Sequence, residues 1–384
     1  MVTSFGGKNC WVFKDWFEIN FRLNNNVPKE YGFNNIQVVP ILCFEGPNAS
    51  GKTCALKALS FISDFCRISF SYSPESPVPY DTYFHNTDDS FFYVSFFLLN
   101  DLTTEYTYEV CFSKKKVKTE KLISKRAKIK ETLISRTGTR IIKNNFTSSK
   151  NLVINLRENS SFISTFYQYG VKEILPFINF FLSIHSNITY LGRNEFNHLE
   201  DPAGYYHEHP DMLVRVVDEL KRLDTGIKDI KIHEYTYKDG KKGLYSVVVN
   251  ETEEGDKELP HYTMSTGTKA LYSELNDMLM VLEKGGVMLF DELDCHLHSS
   301  LVPILIGYFL SPEKNKNNAQ LVFTSHDSSL LDEAKKYRTY IFEKNKGESI
   351  CYRIDELPSR LISRNERSLE SVYKTGVLGG LPNV

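Results

Sequence analysis

Gly46-Pro47-Asn48-Ala49-Ser50-Gly51-Lys52-Thr53 is a full match to G-x-x-x-x-G-K-[ST], the pattern of a phosphate-binding loop. Ahead of it runs Val38-Val39-Pro40-Ile41-Leu42-Cys43-Phe44, apolar and β-rich. Behind it, residues 54–65 carry Leu56, Leu59, Phe61, Ile62 and Phe65 at helical spacing. Strand, Gly-rich turn and helix are the context this pattern needs. The turn aims successive backbone N–H groups inward, and the helix N-terminus adds partial positive charge. Lys52 is expected to reach the β- and γ-phosphates, and Thr53 to offer its hydroxyl to Mg²⁺. Gly46, Pro47, Asn48, Ala49, Ser50, Gly51, Lys52, Thr53 and Cys54 are therefore the expected nucleotide cradle.

A chain of 384 residues allows two or three domains, and 41% hydrophobic residues are ample for a core. The net charge of -2 selects no partner. The charge is informative locally: Lys114, Lys115, Lys116, Lys118, Lys121, Lys125, Arg126, Lys128 and Lys130 crowd one segment, while Glu251, Glu253, Glu254, Asp256 and Glu258 crowd another. Seven cysteines show no C-x-x-C spacing and several lie in apolar runs, so reduced, buried thiols are expected. The opening residues do not show the charged-then-apolar pattern of a signal peptide, so none is expected, and the apolar stretches at 91–99 and 174–184 fall short of the ~18–20 residues of a membrane span. The expectation is a soluble cytoplasmic protein without a membrane partner.

Taken in order, residues 11–23 read as a strand or strand pair followed by an Asn-rich turn, and residues 71–89 as a loop. Residues 90–99 and 106–112 are aromatic and β-branched around the turn pair Asn100-Asp101, which predicts antiparallel strands. The basic run 114–130 predicts a further hairpin arm. Residues 132–150 are polar and without a clear period. Residues 162–184 have helical spacing, 205–210 read as a loop, and 211–223 as an amphipathic helix. Residues 227–237 and 244–250 predict strands around Asp239-Gly240. The expected division is 1–131 as a first lobe with the phosphate loop and antiparallel hairpins, 132–223 as a helical insertion, and 224–384 as a second lobe.

Four features follow the loop in a telling order. Met264-Ser265-Thr266-Gly267-Thr268 precedes a helical pattern over 269–282, and a Ser and a Gly at a helix start make an anion-binding end with Ser265 as cap. Gly286-Val287-Met288-Leu289-Phe290-Asp291-Glu292 is an apolar strand ending in two carboxylates. A buried parallel strand delivers such residues to the ligand edge of an α/β sheet. Asp291 is read as the Mg²⁺ holder and Glu292 as the residue that polarises the attacking water. Asp294 follows three residues beyond Asp291. Leu321-Val322-Phe323-Thr324-Ser325-His326-Asp327 is a strand ending in Ser-His-Asp, with His326 placed to sense the γ-phosphate. His296-x-His298 beside Asp294 lacks a tetrahedral ligand set, as does Tyr205-Tyr206-His207-Glu208-His209. Ser265 with His326 and Asp327 lacks the G-x-S-x-G elbow of a hydrolase triad.

The order of these motifs resembles the ABC-type ATPase heads and, among them, the SMC-like "AAA" ATPases of prokaryotic anti-phage defence. Those include the abortive-infection ATPases, the ATPase half of overcoming-lysogenization-defect nucleases and the ATPase subunit of the PARIS system. The resemblance rests on residues 46–53, 265–269, Asp291-Glu292-Leu293-Asp294 with Leu297-His298, and residues 324–332. Weaker matches are Leu223-Asp224-Thr225-Gly226-Ile227-Lys228-Asp229-Ile230, Tyr373-Lys374-Thr375-Gly376 and Gly379-Gly380-Leu381-Pro382. Thr266 and Thr268 stand where transporter ATPases have Gly and Gln, residues 71–92 contain no Gln for a glutamine loop, and Val377 stands where relatives often carry Arg.

The resemblance implies an α/β fold: an ABC-ATPase-like head with a mixed central sheet, an antiparallel β subdomain and a helical insertion. It implies ATP and Mg²⁺ as cofactors, with Lys52, Glu292 and His326 catalytic, Thr53 and Asp291 on the metal, and Ser265, Gly267 and Asp294 completing the nucleotide site. Two heads are expected to meet head-to-tail, each nucleotide lying between the phosphate loop of one and the Ser265 helix start of the other, as a dimer or larger homo-oligomer. A second helix N-terminus on the γ-phosphate adds stabilisation only in the triphosphate state. The implied role is a defence ATPase that controls a separate effector, often a nuclease, in response to a phage protein or nucleic acid. A DNA-associated repair or chromosome ATPase is the alternative. A transporter subunit is disfavoured by the missing glutamine loop and the two threonines.

Overall fold

The computed structural model of the protein describes every residue except 25, 34–35, 151, 194–200, 224–225, 237–239, 296, 359–360, 362–367 and 382–384. Asp224, Thr225, Asp239, His296 and Pro382, all singled out above, lie outside the described residues. The chain opens with β1 (Val2–Lys8), β2 (Phe17–Asn20) and β3 (Ile41–Glu45), and the phosphate loop leads from β3 into α1 (Lys52–Ile68). Strands β4 (Ser90–Leu98), β5 (Asp101–Ser113), β6 (Lys116–Arg126), β7 (Ile129–Thr137) and β8 (Arg140–Asn144) then run as a meander. Helices α2 (Phe162–Gln168) and α3 (Leu175–Leu182) precede short strands β9 (Ile184–Ser186), β10 (Ile188–Thr189) and β11 (Gly192–Arg193), and α4 (Ala203–Glu208) and α5 (Pro210–Arg222) follow. After β12 (Ile227–Thr236), β13 (Lys242–Thr252) and β14 (Gly255–Pro260), the elements alternate: α6 (Thr266–Lys284), β15 (Val287–Phe290), α7 (Leu301–Leu310), β16 (Gln320–Thr324), α8 (Leu330–Ala334), β17 (Thr339–Asn345), β18 (Glu348–Arg353) and α9 (Leu369–Lys374).

These elements make a mixed α/β molecule. The central sheet has the order β18-β17-β3-β16-β15-β9, parallel except for β18. Its inner strands β3, β15 and β16 are buried on both faces, so their side chains alternate between two cores. Leu42, Phe44, Val287, Leu289 and Val322 point into a core shared with α1 and the antiparallel sheet. Ile41, Cys43, Met288, Phe290, Leu321 and Phe323 point into the other, with Leu275 and Met278 of α6 and Leu305 of α7. The antiparallel sheet runs β2-β1-β4-β5-β6-β7-β8. Gln320 ties the two sheets together: its side-chain amide accepts from Val2 N at 2.6 Å and donates to Val2 O at 2.9 Å.

Several local expectations change. Of residues 11–23 only Phe17–Asn20 is a strand, because Asn9 and Trp11 take left-handed φ values of 55° and 49° and turn the chain. Strand β1 was not foreseen, since Gly6 and Gly7 interrupt its apolar pattern; a Cβ on Gly6 would lie 2.1 Å from Phe17 O, so the glycine permits the close strand pairing. The helical run 162–184 breaks at Gly170 (φ 72°) and ends at Ser183, so Ile184 begins a strand of the central sheet. Residues 205–210, expected to be a loop, lie in α4 and at the start of α5 with His209 alone as the break between them, because Tyr206 is buried on Tyr272 and donates to Tyr272 O at 2.9 Å. Residues 132–223 thus hold helices α2–α5 interleaved with strands. The seven cysteines are free: Cys10, Cys43 and Cys66 are buried, as expected, whereas Cys295 is exposed. Among the described residues no helix is long and apolar enough to cross a membrane.

Candidate nucleotide site

The register of the central sheet brings the motifs to one edge. Phe44 of β3 is level with Thr324 of β16, and Phe323 is level with Phe290 of β15. The chain therefore leaves these three neighbouring strands side by side as Glu45-Gly46, Ser325-His326 and Asp291-Glu292, at the carboxyl edge where parallel sheets bind ligands. The resulting cavity, about 440 Å³, is lined by residues 47–54 together with Asp291, Glu292, Thr324, His326, Lys344 and Val12. A neighbouring cavity of about 980 Å³ adds Glu45 and Gly46.

The loop's glycines are required by its shape. Gly46 has φ 149° and Gly51 φ 107°; a Cβ on Gly46 would lie 2.4 Å from Phe342 O. Ala49 takes a left-handed φ of 61°. Lys52 folds back over the loop, donating to the carbonyl of Gly46 and, at 3.3 Å, to that of Pro47. Burial lowers its pKa, against the pull of Glu45, Asp291 and Glu292. The Ser50 hydroxyl is buried without a hydrogen-bond partner among the described residues. Cys54 lines the cavity, and burial raises its thiol pKa.

Asp291 is the hub. It accepts from Thr53 Oγ1 at 2.9 and 3.1 Å and from Thr324 Oγ1 at 2.8 Å. Burial raises its carboxyl pKa, and these hydroxyls oppose the rise. Its backbone is held by Asn187, whose amide accepts from Asp291 N at 2.8 Å and donates to Asp291 O at 3.0 Å. Glu292 has a left-handed φ of 55°, a conformation that costs a non-glycine residue about 1–2 kcal/mol. Its N–H donates to Thr324 Oγ1 at 2.7 Å, which fixes the bend. Arg193 Nη1 donates to Glu292 Oε2 at 2.5 Å, and His326 Nε2 stands 3.5 Å from Oε1. Burial alone would raise the Glu292 pKa; Arg193 and His326 hold it below the usual range.

The remaining sequence-singled residues fall as follows. Asp294 accepts from His326 N at 3.0 Å, so within this chain it braces the His326 turn. Ser265 caps α6, accepting from Thr268 N at 3.1 Å, and is exposed. Ser265 and Gly267 lie outside the lining of the phosphate-loop cavity. His298 is engaged with Ser300, its Nδ1 2.8 Å from Ser300 Oγ. The tail packs behind the loop: Tyr373 donates to Gly380 O at 2.5 Å and stands 3.5 Å from Glu45 Oε1.

Sequence reading missed Glu45, Asn187, Arg193 and Thr324. Thr324 was in view as a strand residue next to the Ser-His-Asp end. Nothing local marks Asn187 or Arg193, whose roles come from β9 pairing with β15. The site nonetheless fits a magnesium–triphosphate: the Thr53 hydroxyl and the buried Asp291 carboxylate converge where a metal needs oxygen donors, beside Lys52, the N-terminus of α1 and a Ser50 hydroxyl with no partner among the described residues.

No curated protein matches the chain. Among solved structures, an SMC head bound to the C-winged helix domain of ScpA is 12% identical and covers 92% of this chain and 99% of its own, with a TM-score of 0.49. An Smc head domain with a coiled coil and joint from Pyrococcus yayanosii is 10% identical, covers 97% and 99%, and has a TM-score of 0.43. The recombination mediator RecF with ATP is 13% identical, covers 91% and 97%, and has a TM-score of 0.35. Residues 41–332, well over half of the chain, match the family described as "AAA domain, putative AbiEii toxin, Type IV TA system", and the chain belongs to that family.

Proposed function

We propose that this protein binds and hydrolyses ATP with Mg²⁺ as an ABC-type ATPase, acting as a head-to-tail dimer or larger homo-oligomer. We further propose that it is the sensing and regulatory subunit of an anti-phage abortive-infection system, controlling a separate toxic effector such as a nuclease. The observation that carries the nucleotide reading is the Thr53–Asp291–Thr324 cluster beside the phosphate loop. The family description, with its putative AbiEii toxin, supports the defence reading.

Each residue has a chemical task in this scheme. Lys52 exchanges its carbonyl partners for the β- and γ-phosphates. Thr53 and Asp291 hold magnesium, which when bound offsets phosphate charge. Glu292 orients and polarises the attacking water, and His326 meets the γ-phosphate. Ser265, exposed at the start of α6, serves the nucleotide of a second copy. ATP then favours the closed pair and hydrolysis weakens it, a balance biased by the γ-phosphate.

Lys52→Ala should abolish ATP binding, measured by equilibrium dialysis. Glu292→Gln should retain ATP and elute earlier than the wild type on sizing chromatography with ATP. A Glu292→Gln protein that neither retains ATP nor shifts in size overturns the scheme.

A second reading, an SMC-like repair or chromosome ATPase binding nucleic acid, is favoured by one observation. The basic run divides in two. Lys115, Lys116 and Lys118 are ion-paired with Asp81, Glu158 and Asp89. Lys114, Lys121, Lys125, Arg126, Lys128 and Lys130, with Lys143 of β8 outside the run, are exposed and form no ion pair among the described residues. This reading requires duplex DNA binding that falls steeply with salt and DNA-stimulated hydrolysis; their absence removes it.

A further inference from the structure

The carboxylate pair at the end of β15 is gripped from outside every motif. β9 pairs in parallel with β15, with Ser186 level with Leu289. Where that ladder stops, the Asn187 side chain continues it, exchanging two hydrogen bonds of 2.8 and 3.0 Å with the Asp291 backbone. Only one orientation of the amide satisfies both bonds. Asn187 is 4% exposed, so its grip is shielded from competing water. Six residues later, at the end of the β10–β11 hairpin, Arg193 donates to the Glu292 carboxylate at 2.5 Å. The Arg193 side chain is only 9% exposed, against 38% for Glu292.

The hairpin between them is itself anchored. Ser60 of α1 donates to Ile188 O at 2.9 Å, and β11 lies beside the same helix. The anchor is thus the helix that the phosphate loop starts. The Arg193 charge also acts on Glu274 of α6, the helix that Ser265 caps. Arg193 does not line the phosphate-loop cavity, so it meets Glu292 rather than a ligand there.

We propose that residues 187–193 are a positioning clamp for the Asp291–Glu292 pair: Asn187 sets the backbone of Asp291, and Arg193 holds the Glu292 carboxylate. This rests on the reading of the site as an ATPase. The guanidinium holds Oε2 of Glu292, Oε1 stands 3.5 Å from His326 Nε2, and Glu292 and His326 both line the cavity. A cavity-lining carboxylate with one oxygen fixed holds its other oxygen in a set direction for a water, whereas a free glutamate rotates among rotamers. Misplacement of a catalytic group by about 1 Å can cost on the order of 100-fold in rate.

The test compares wild type, Arg193→Ala, Arg193→Lys and Asn187→Ala for steady-state ATP hydrolysis, binding of a fluorescent ATP analogue and thermal unfolding. Arg193→Ala and Asn187→Ala should each lower kcat on the order of 100-fold. KM and analogue affinity should stay within about twofold, because no binding contact is removed. Arg193→Lys, which restores the charge without the planar fork, should recover part of the lost kcat. Unchanged kcat in both alanine variants overturns the clamp while leaving the ATPase reading intact. So does a loss of analogue affinity in proportion to kcat, or a Lys variant no better than Ala while both melt like wild type. A wild-type protein that binds ATP but never turns it over overturns the ATPase reading itself, before any variant is compared.

Discussion

Glu45 is a carboxylate buried one residue ahead of the phosphate loop, and its pKa follows from that position. Burial pushes it up to about 7; the Gly46 N–H at 3.2 Å and the Lys52 charge only partly offset this. Between the ordinary 4.5 and about 7, the folded protein keeps a proton that the unfolded chain releases. Stability therefore falls as pH rises through that window, and the full loss is present above it. Glu45→Gln removes the titration while keeping the acceptor for Gly46. The variant should match wild type near pH 4.5 and be more stable by on the order of 2 kcal/mol at pH 8, in urea unfolding without nucleotide. Gly46→Ala, at φ 149° with its new Cβ 2.4 Å from Phe342 O, should disrupt the loop and lose ATP binding by the same dialysis assay.

At the scale of elements, the antiparallel sheet is tied to the helices by one buried ion pair. Arg136 of β7 donates to Glu120 of β6 at 2.5 Å, and both side chains are 0% exposed. Glu120 also accepts from Tyr108 Oη and Ser161 Oγ, each at 2.6 Å, and from Phe162 N at the start of α2. Arg136→Met leaves a buried carboxylate without its cation and should cost about 3–5 kcal/mol, read as a lower urea midpoint with an unchanged slope. The sequence could not announce this pair, because each partner looks like an ordinary alternating strand residue. The same limit explains the run 162–184: its apolar spacing is helical throughout, yet Gly170 breaks it and Ile184 is drawn into the sheet edge beside Val287. Strong periods such as α1 and α6 were legible because their apolar residues repeat over many turns against a single core.

For the whole molecule, the exposed Ser265 cap and the buried Asp291 hub lie on different parts of one chain, so the proposed scheme needs two copies. That has a specific consequence for mixtures. Lys52→Ala loses its own loop, and Ser265→Arg spoils only what it offers its neighbour. Each variant alone should be inactive. In an equimolar mixture half of the dimers combine the two, and each of these keeps one intact site. About a quarter of wild-type hydrolysis should therefore return on mixing, as a head-to-tail two-fold arrangement requires. No recovery in the mixture would rule out sharing of sites between copies.

Residues 46–53 determined by themselves that a strand, a glycine-bearing turn and a helix N-terminus would follow one another, since loop shape and helix start are local properties of the backbone. The sequence likewise determined that Asp291-Glu292 and His326 end apolar strands, because strands buried on both faces read as continuous apolar runs. Only the tertiary structure decided that those strand ends share one edge, that Thr324 joins Thr53 on Asp291, and that Asn187, just past β9, and Arg193 of β11 bond the Asp291 backbone and the Glu292 carboxylate. These are contacts between residues about 30 to 240 positions apart, fixed by strand order and register, and no local pattern of residues encodes which strand will lie beside which.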